Sequence, residues 1–181
     1  MPTRTEAASG PWYQWEEDIL KERMVSDTSL VVSHLVMPAD TNPAGNVHGG
    51  VIMKHIDNTA GIVAYRHARA NVVTASIDRL DFHHPAFVGE LLTFKASLNY
   101  VGRSSMEIGV RVEAENLLSG AVRHVASAYL TFVSLDEKYK PKEVPPLVAQ
   151  TEEECRRNKE AQARIQVRRL EKQKEKIPTK C

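Results

Sequence analysis

Asn42-Pro43-Ala44-Gly45-Asn46-Val47-His48-Gly49-Gly50-Val51-Ile52-Met53-Lys54-His55-Ile56-Asp57 begins as a loop and turns into a helix. Pro43 fixes one backbone angle, and Gly45 permits a conformation that other residues resist. The apolar residues Val51, Ile52, Met53, Ile56, Ala60, Val63 and Ala64 then recur at helical spacing. They occupy more than one side, so the helix is expected to be buried over most of its circumference. Gly49 and Gly50 mark the helix mouth, where backbone N–H groups lack helical partners and the dipole is positive. Asp57 places a carboxylate about two turns further in.

Bare N–H groups at a helix N-terminus can hold an oxyanion, and glycine lets a substrate carbonyl approach closely. A carboxylate in apolar surroundings is harder to ionise than in water, which suits a general base. A plainer reading stands beside this one. Gly49 and Gly50 would serve tight helix–sheet packing, and Asp57 would pair with Lys54 one turn back. Spacing alone favours the plainer reading.

Outward from this stretch, the chain reads as strands. Ser29 to Met37 is apolar and β-branched, a strand ending at Pro38. After the helix, which is expected to run to His67, Asn71 to Phe82 is rich in Val, Ile and Thr. Leu92 to Tyr100 and Met106 to Glu115 alternate apolar with polar residues, the pattern of half-buried strands. Asn116-Leu117-Leu118-Ser119-Gly120 is a hairpin turn. Val122 to Ser134 is apolar on both faces and is expected at the centre of the sheet. One strand, one helix and four antiparallel strands predict an α+β fold, a long sheet wrapped around one buried helix.

The flanks differ in character. Residues 1–10 read as disordered, and Trp12, Tyr13 and Trp15 lie on a short acidic helical segment whose aromatics need a partner surface. Lys140 to Pro146 is a proline-bearing linker, and Thr151 to Lys176 a long charged helix with Glu152–Arg156, Glu153–Arg157 and Glu160–Arg164 at favourable spacing. From Thr151 onward there are ten Lys or Arg against six Asp or Glu; the remainder carries fourteen against seventeen. Most of the tail charges are expected on a solvated, frayed helix, with a minority meeting phosphates.

The 181 residues suit one domain with tails, and 42% hydrophobic content supports a core. A net charge of +1 gives no reason to expect nucleic acid, and no apolar run is long enough to span a bilayer. No signal peptide is expected from the first residues. Cys155 and Cys181 show neither metal spacing nor a disulfide framework, in keeping with a reducing cytosol. Seven histidines lack an HExxH or CxxC companion, so no metal is expected. His48 reads either as a residue near a reacting carbonyl or as a helix cap. No Gly-x-Ser-x-Gly elbow is present.

The pattern Asn42, Gly45, Asn46, His48-Gly49-Gly50, Met53, Asp57, Ala60-Gly61 resembles the signature of the hotdog-fold acyl-CoA thioesterases. It is similar both to the small bacterial enzymes and to the repeated domains of the animal cytosolic ones. The likeness continues through Val73-Thr74-Ala75-Ser76, through Phe82, Pro85 and Gly89, and through Gly102-Arg103-Ser104-Ser105-Met106-Glu107. It implies a hotdog domain over 28–148, preceded by an extension (1–27) and followed by a charged helical tail (149–181). It implies hydrolysis of acyl-CoA to a fatty acid and coenzyme A. The N–H groups of Gly49 and Gly50 would polarise the thioester, Asp57 would activate water or, as the lesser alternative, attack directly, and Asn42 would orient water or substrate. In the family this Asn and Asp meet across a dimer interface. Ligand contacts fall on the segments matching Ala75-Ser76-Ile77 and Ser104-Ser105-Met106 and on a tail arginine, here matched by Arg164; Arg103 and Arg164 suit phosphate oxygens. Coenzyme A is part of the substrate, so no separate cofactor is implied. The implied partners are acyl-CoA and further copies of the chain, as a dimer and as a trimer of dimers. The alternatives are a non-catalytic acyl-CoA-binding regulator, which has no need of a water-activating carboxylate, and a hotdog dehydratase, whose His-plus-acid pattern is missing from this helix.

Overall fold

A computed structural model describes residues 21–175; the aromatic segment around Trp12, Tyr13 and Trp15 and the last six residues lie outside them. The elements in order are β1 (Arg23–Met24), α1 (Val25–Thr28), β2 (Leu30–Leu35), a 3-10 turn (Pro38–Asp40), α2 (Gly49–Ala68), β3 (Asn71–Phe82), β4 (Glu90–Val101), β5 (Ser105–Asn116), β6 (Val122–Leu135), β7 (Leu147–Val148) and α3 (Glu152–Glu175). Five strands form one antiparallel sheet in the order β2-β4-β5-β6-β3. The short β1 and β7 pair in parallel beside it. This is the α+β hotdog arrangement, with α2 laid along the sheet.

Strand β6 is interior, but the middle position belongs to β5. On the outer face of β6, Tyr129 and Thr131 are met by Arg164 and Arg168 of α3. The Asn116–Gly120 turn forms as expected. Gly120 adopts φ +70°, and the Asn116 side chain accepts the N–H groups of Leu118 and Ser119.

Alternation of side chains along each strand gives the sheet two faces. Leu92, Phe94, Met106, Ile108, Leu130 and Phe132 are buried on the α2 side together with Ile52, Ile56, Ala60, Val63 and Ala64 of the helix. The expectation that α2 is buried over most of its circumference does not hold within one protomer. Met53, Asn58, Ile62 and Tyr65 form an exposed stripe on the side away from the sheet.

The linker and tail are not loose either. The linker buries Val144 and Pro145, and the Pro145 carbonyl pairs with His67 Nε2 at 2.8 Å, tying the strap to the end of α2. The tail helix lies across the sheet face opposite α2 and buries Ala161 and Ile165. Arg157 reaches Ser97, Asn158 donates to the Asn99 carbonyl, Arg164 pairs with Glu107, and Arg168 meets Ser76, Asp78 and Thr131. Of the expected pairs within the tail, Glu153–Arg157 forms. Arg156 takes Glu153 and Glu160, and Arg164 turns to the sheet instead of to Glu160.

Candidate active site

The loop before α2 is built from the residues its sequence singles out. Asn42 N–H donates to the Asn46 carbonyl at 2.8 Å, and Gly45 N–H returns to the Asn42 carbonyl at 2.9 Å. Gly45 sits at φ +83°, the left-handed region that favours glycine. The Asn42 side chain accepts Ala44 N–H and donates to Asn46 Oδ1. Its second N–H and second lone pair remain for water or substrate.

His48 caps the helix: its Nδ1 accepts Gly50 N–H at 2.9 Å. The cap therefore occupies one of the two N–H groups expected to hold an oxyanion. Among the described residues no acceptor takes the other, Gly49 N–H. Gly49 and Asn42 share a concavity with Ile52, Phe82 and His83.

Asp57 is half-buried on the outer stripe of α2, about 12 Å along the axis from Gly49 at 1.5 Å per residue. Lys54 is not its partner. Thr74 Oγ1 of the edge strand β3 donates to Asp57 Oδ1 at 2.7 Å, which orients the carboxylate. Around it lie Asn58, Gly61, Ile62, Tyr65 and Phe132, in a different concavity from that of Asn42. One protomer thus does not bring Asn42 and Asp57 together. The Asp57 surface continues onto Val73 and Ile77 of the strand edge, 42% and 43% exposed. That is an apolar surface around a carboxylate and an unpaired strand edge.

The chain matches the Thioesterase superfamily over residues 44–121. It is 43% identical over 141 residues to the cytosolic acyl coenzyme A thioester hydrolase of Mus musculus, covering 77% of this chain but 36% of that protein. An uncharacterized acyl-CoA thioester hydrolase of Bacillus subtilis (strain 168) is 40% identical over 132 residues, 73% of this chain and 77% of its own. The crystal structure of an apo-hexameric acyl-CoA thioesterase superposes with a TM-score of 0.82 at 39% identity, covering 88% of this chain and all of that one. This chain belongs to the thioesterase superfamily. It spans little more than a third of the length of its mammalian relatives.

For a member of that superfamily, the segments given to coenzyme A are instructively placed. Strand β3 is bulged on both sides of Ser76–Ile77, and Ser76 Oγ donates to Asp78 and accepts from Arg168. Ser105 aligns through Val133 with Val73. The two segments therefore share one end of the sheet, two strand spacings or roughly 9.6 Å apart. Ser104 lends its carbonyl to Ser134, and Met106 is fully buried. Arg103 is exposed in the β4–β5 turn with Glu143 as its partner. Arg164, by contrast, lies bidentate on the buried Glu107, its guanidinium carbon 3.8 Å from the Tyr129 ring centroid.

Sequence reasoning missed Thr74 as the holder of Asp57. No local pattern joins residues seventeen apart on a strand and a helix. It also missed a histidine–carboxylate cluster behind the loop. His34 Nε2 lies 2.8 Å from Asp40 Oδ2, and the His34 and His55 rings are 4.4 Å apart. The Met37 N–H and His34 hold the Asp40 carboxyl below its ordinary value, while burial, reinforced by the His34 charge, pushes the His55 imidazole down. Among the described residues no three His, Cys, Asp or Glu side chains gather as metal ligands do.

Proposed function

We propose that this protein hydrolyses acyl-CoA thioesters to a free fatty acid and coenzyme A, in sites shared between two copies of the chain. The observation that carries the reading is the separation of Asn42 and Gly49 from Asp57. Each half lies at the surface, and each lacks the other's chemistry. A second copy laid against the Asp57 stripe would bring one chain's helix mouth to the other chain's carboxylate.

In that site the thioester carbonyl oxygen takes the Gly49 N–H, joined by Gly50 when the His48 ring swings aside. Asp57, oriented by Thr74, removes a proton from water as its oxygen attacks the carbonyl carbon. The C–S bond then breaks, and the proton passes to the departing thiolate. Asn42 orients the water or the substrate through its unused amide valences. Ala75-Ser76-Ile77 and Ser104-Ser105-Met106 flank the path of the pantetheine arm. Arg103 serves the phosphates; Arg164 can join it only by leaving Glu107. The hexameric relative supports assembly beyond a dimer, for which three dimers is the arrangement proposed here. The cytosolic name of the mammalian relative supports the same compartment here, and no helix among the described residues is long and apolar enough to cross a membrane.

The test is release of free thiol from an acyl-CoA panel of increasing chain length. Asp57→Ala is expected to lower kcat by at least ~10²-fold, the scale of losing a general base, with the fold retained. Tight binding without thiol release would instead identify an acyl-CoA-binding regulator. Mixing dissociated Asn42→Ala and Asp57→Ala proteins tests sharing. Half the dimers become mixed, each with one intact site, so recovery should approach about a quarter of wild type for symmetric, independent sites. No recovery in confirmed mixed dimers would place each site within one chain.

A further inference from the structure

Below the bond from Asn42 N–H to the Asn46 carbonyl, the loop that carries Asn42 is closed at its base by a second main-chain bond, His48 N–H to the Asp40 carbonyl at 2.8 Å. That bond fixes where α2 starts, because His48 is its cap and Gly49 its first residue. Asp40 is itself held by its side chain. Oδ2 accepts the Met37 N–H at 2.8 Å and lies 2.8 Å from His34 Nε2. His34 stands on β2 opposite Leu92 of β4, a fixed point of the sheet. Its ring packs on His55 of α2, which stacks on Phe94 at 5.3 Å between centroids. The side chains of His34 and Asp40 are 27% and 18% exposed, so the pair is partly screened from water.

We propose that His34 and Asp40 form a clamp that positions the Asn42 loop and the Gly49 N–H relative to the sheet. Both are positioning residues, since neither reaches the concavity where Asn42 and Gly49 lie. The clamp connects three parts that the site needs in register. Asp40 closes the loop through its carbonyl and anchors to the strand through its carboxylate; His34 carries that anchor to the second helical turn through His55. The loop's other ties are Val47 N–H to the Ala86 carbonyl and the Asn46–Phe87 bridge, on its far side. Without the clamp the near side keeps only its own main-chain bonds, those of the Pro38–Asp40 turn and of the Thr41–Val47 bridge, with no anchor to the strand. A shift of about 1 Å at a reacting group can cost up to 10²-fold in rate.

The inference rests on the thioesterase reading for its kinetic consequence but not for its geometry, so two measurements are needed. In His34→Leu and Asp40→Ala, exchange of the His48 amide should quicken by roughly 10-fold, because the bond it makes to Asp40 is loosened. Thiol release from acyl-CoA should show kcat lowered about 10-fold and KM changed less than about 2-fold, the split expected when positioning rather than uniform binding is lost. His34→Gln keeps an N–H that reaches Asp40 and should restore both readouts, whereas a purely apolar packing role for His34 would be served better by Leu. Unchanged His48 exchange in His34→Leu, or failure of Gln to outperform Leu, would overturn the clamp. A wild-type protein that releases no thiol would overturn the thioesterase reading, and the exchange comparison would still decide the clamp.

Discussion

The two long helices cover opposite faces of one sheet with opposite chemistry. Helix α2 meets the sheet through Ile52, Ile56, Ala60, Val63 and Ala64, set against Leu92, Phe94, Ile108, Leu130 and Phe132. Helix α3 meets it through Arg157, Asn158, Arg164 and Arg168, with Ala161 and Ile165 as its only buried apolar residues among those described. The first interface is driven by removal of apolar area from water, a non-directional force that leaves shape as its only demand. The second depends on direction and charge. Glu107 is fully buried, and its cost of desolvation is offset only while Arg164 and Asn99 satisfy it. A hydrophobic face selects by shape; a face of directed bonds selects by direction and charge, and through Arg168 it ties α3 to the bulged edge strand.

The largest expected effect is on the apolar face. Ile56 is 1% exposed, and Ile56→Ala should cost about 2–5 kcal/mol of unfolding free energy by denaturant titration, through lost transfer energy and a residual cavity. No second substitution on the sheet is expected to repair it fully, since the gap must be filled by shape. Loss below about 1 kcal/mol would mean that the α2 interface is loosely packed.

Next comes the ion pair. Glu107→Ala strands Arg164, which at 23% side-chain exposure can partly reach water, so about 2–3 kcal/mol is expected, somewhat below the usual cost of breaking a buried pair. Unlike the α2 lesion, this one should be relieved by removing the other charge. Glu107→Leu with Arg164→Met should recover the part of the loss that comes from the stranded charge, short of the cost of leaving the Asn99 amide without Glu107. Failure of the double variant to recover would show that the outer face is governed by shape, as the inner one is.

The same contrast explains what could be read from the sequence. The apolar face announces itself through period: residues 51–64 at helical spacing and the alternation of Leu92–Tyr100 and Met106–Glu115 give helix, strands and order before any coordinates. The loop was legible too, because Pro43, Gly45 and the asparagines carry local turn chemistry. The docking of α3 was not. Arg157, Arg164 and Arg168 look like any solvated charge on a helix, and their partners Ser97, Glu107 and Asp78 occupy positions where alternation predicts an outward, wet face. A stripe of Ala161 and Ile165 among the charges was the only local sign. Thr74 against Asp57 and His34 against Asp40 were hidden for a related reason, since directed bonds between distant residues leave no period. The open stripe of α2 was misread as buried because apolar content alone does not say which chain covers it.

A smaller effect is expected where the outer face admits no side chain at all. A Cβ on Gly109 would come within 2.8 Å of Asn99 Nδ2. That nitrogen donates to Glu107 Oε1, so Gly109→Ala should displace Asn99 and weaken the pair beneath α3. About 1–2 kcal/mol is expected, at the lower range for overpacking because the side-chain end can yield. The substitution should raise amide exchange in α3 more than in α2, and equal increases in the two helices would mean that the sheet itself had shifted.

The smallest effect concerns pH. Burial alone would raise the Asp78 carboxyl, but hydrogen bonds from Arg168, Ser76 and Thr131 and the charge of Arg168 outweigh it and hold the group below the ordinary 3.8. A carboxyl lowered on folding stabilises the folded state above its unfolded value, and that stabilisation is lost as pH falls through the lowered one. Acidification from pH 3.8 downward should therefore loosen the end of α3 that carries Arg168, over and above the acid response of the α2 side, where burial pushes the His55 and His67 imidazoles down. Pepsin, active in acid, should cut α3 before it cuts the sheet. In Asp78→Asn, which keeps an acceptor for Thr131 but loses the charge, this extra acid sensitivity should shrink, with stability near neutral pH lowered by no more than about 1 kcal/mol for a partly exposed pair. Cleavage of α3 that is equally pH-dependent in both proteins would show that Ala161 and Ile165, not the ion pair, hold this end of the helix, and the two faces would then differ less in chemistry than their residues imply.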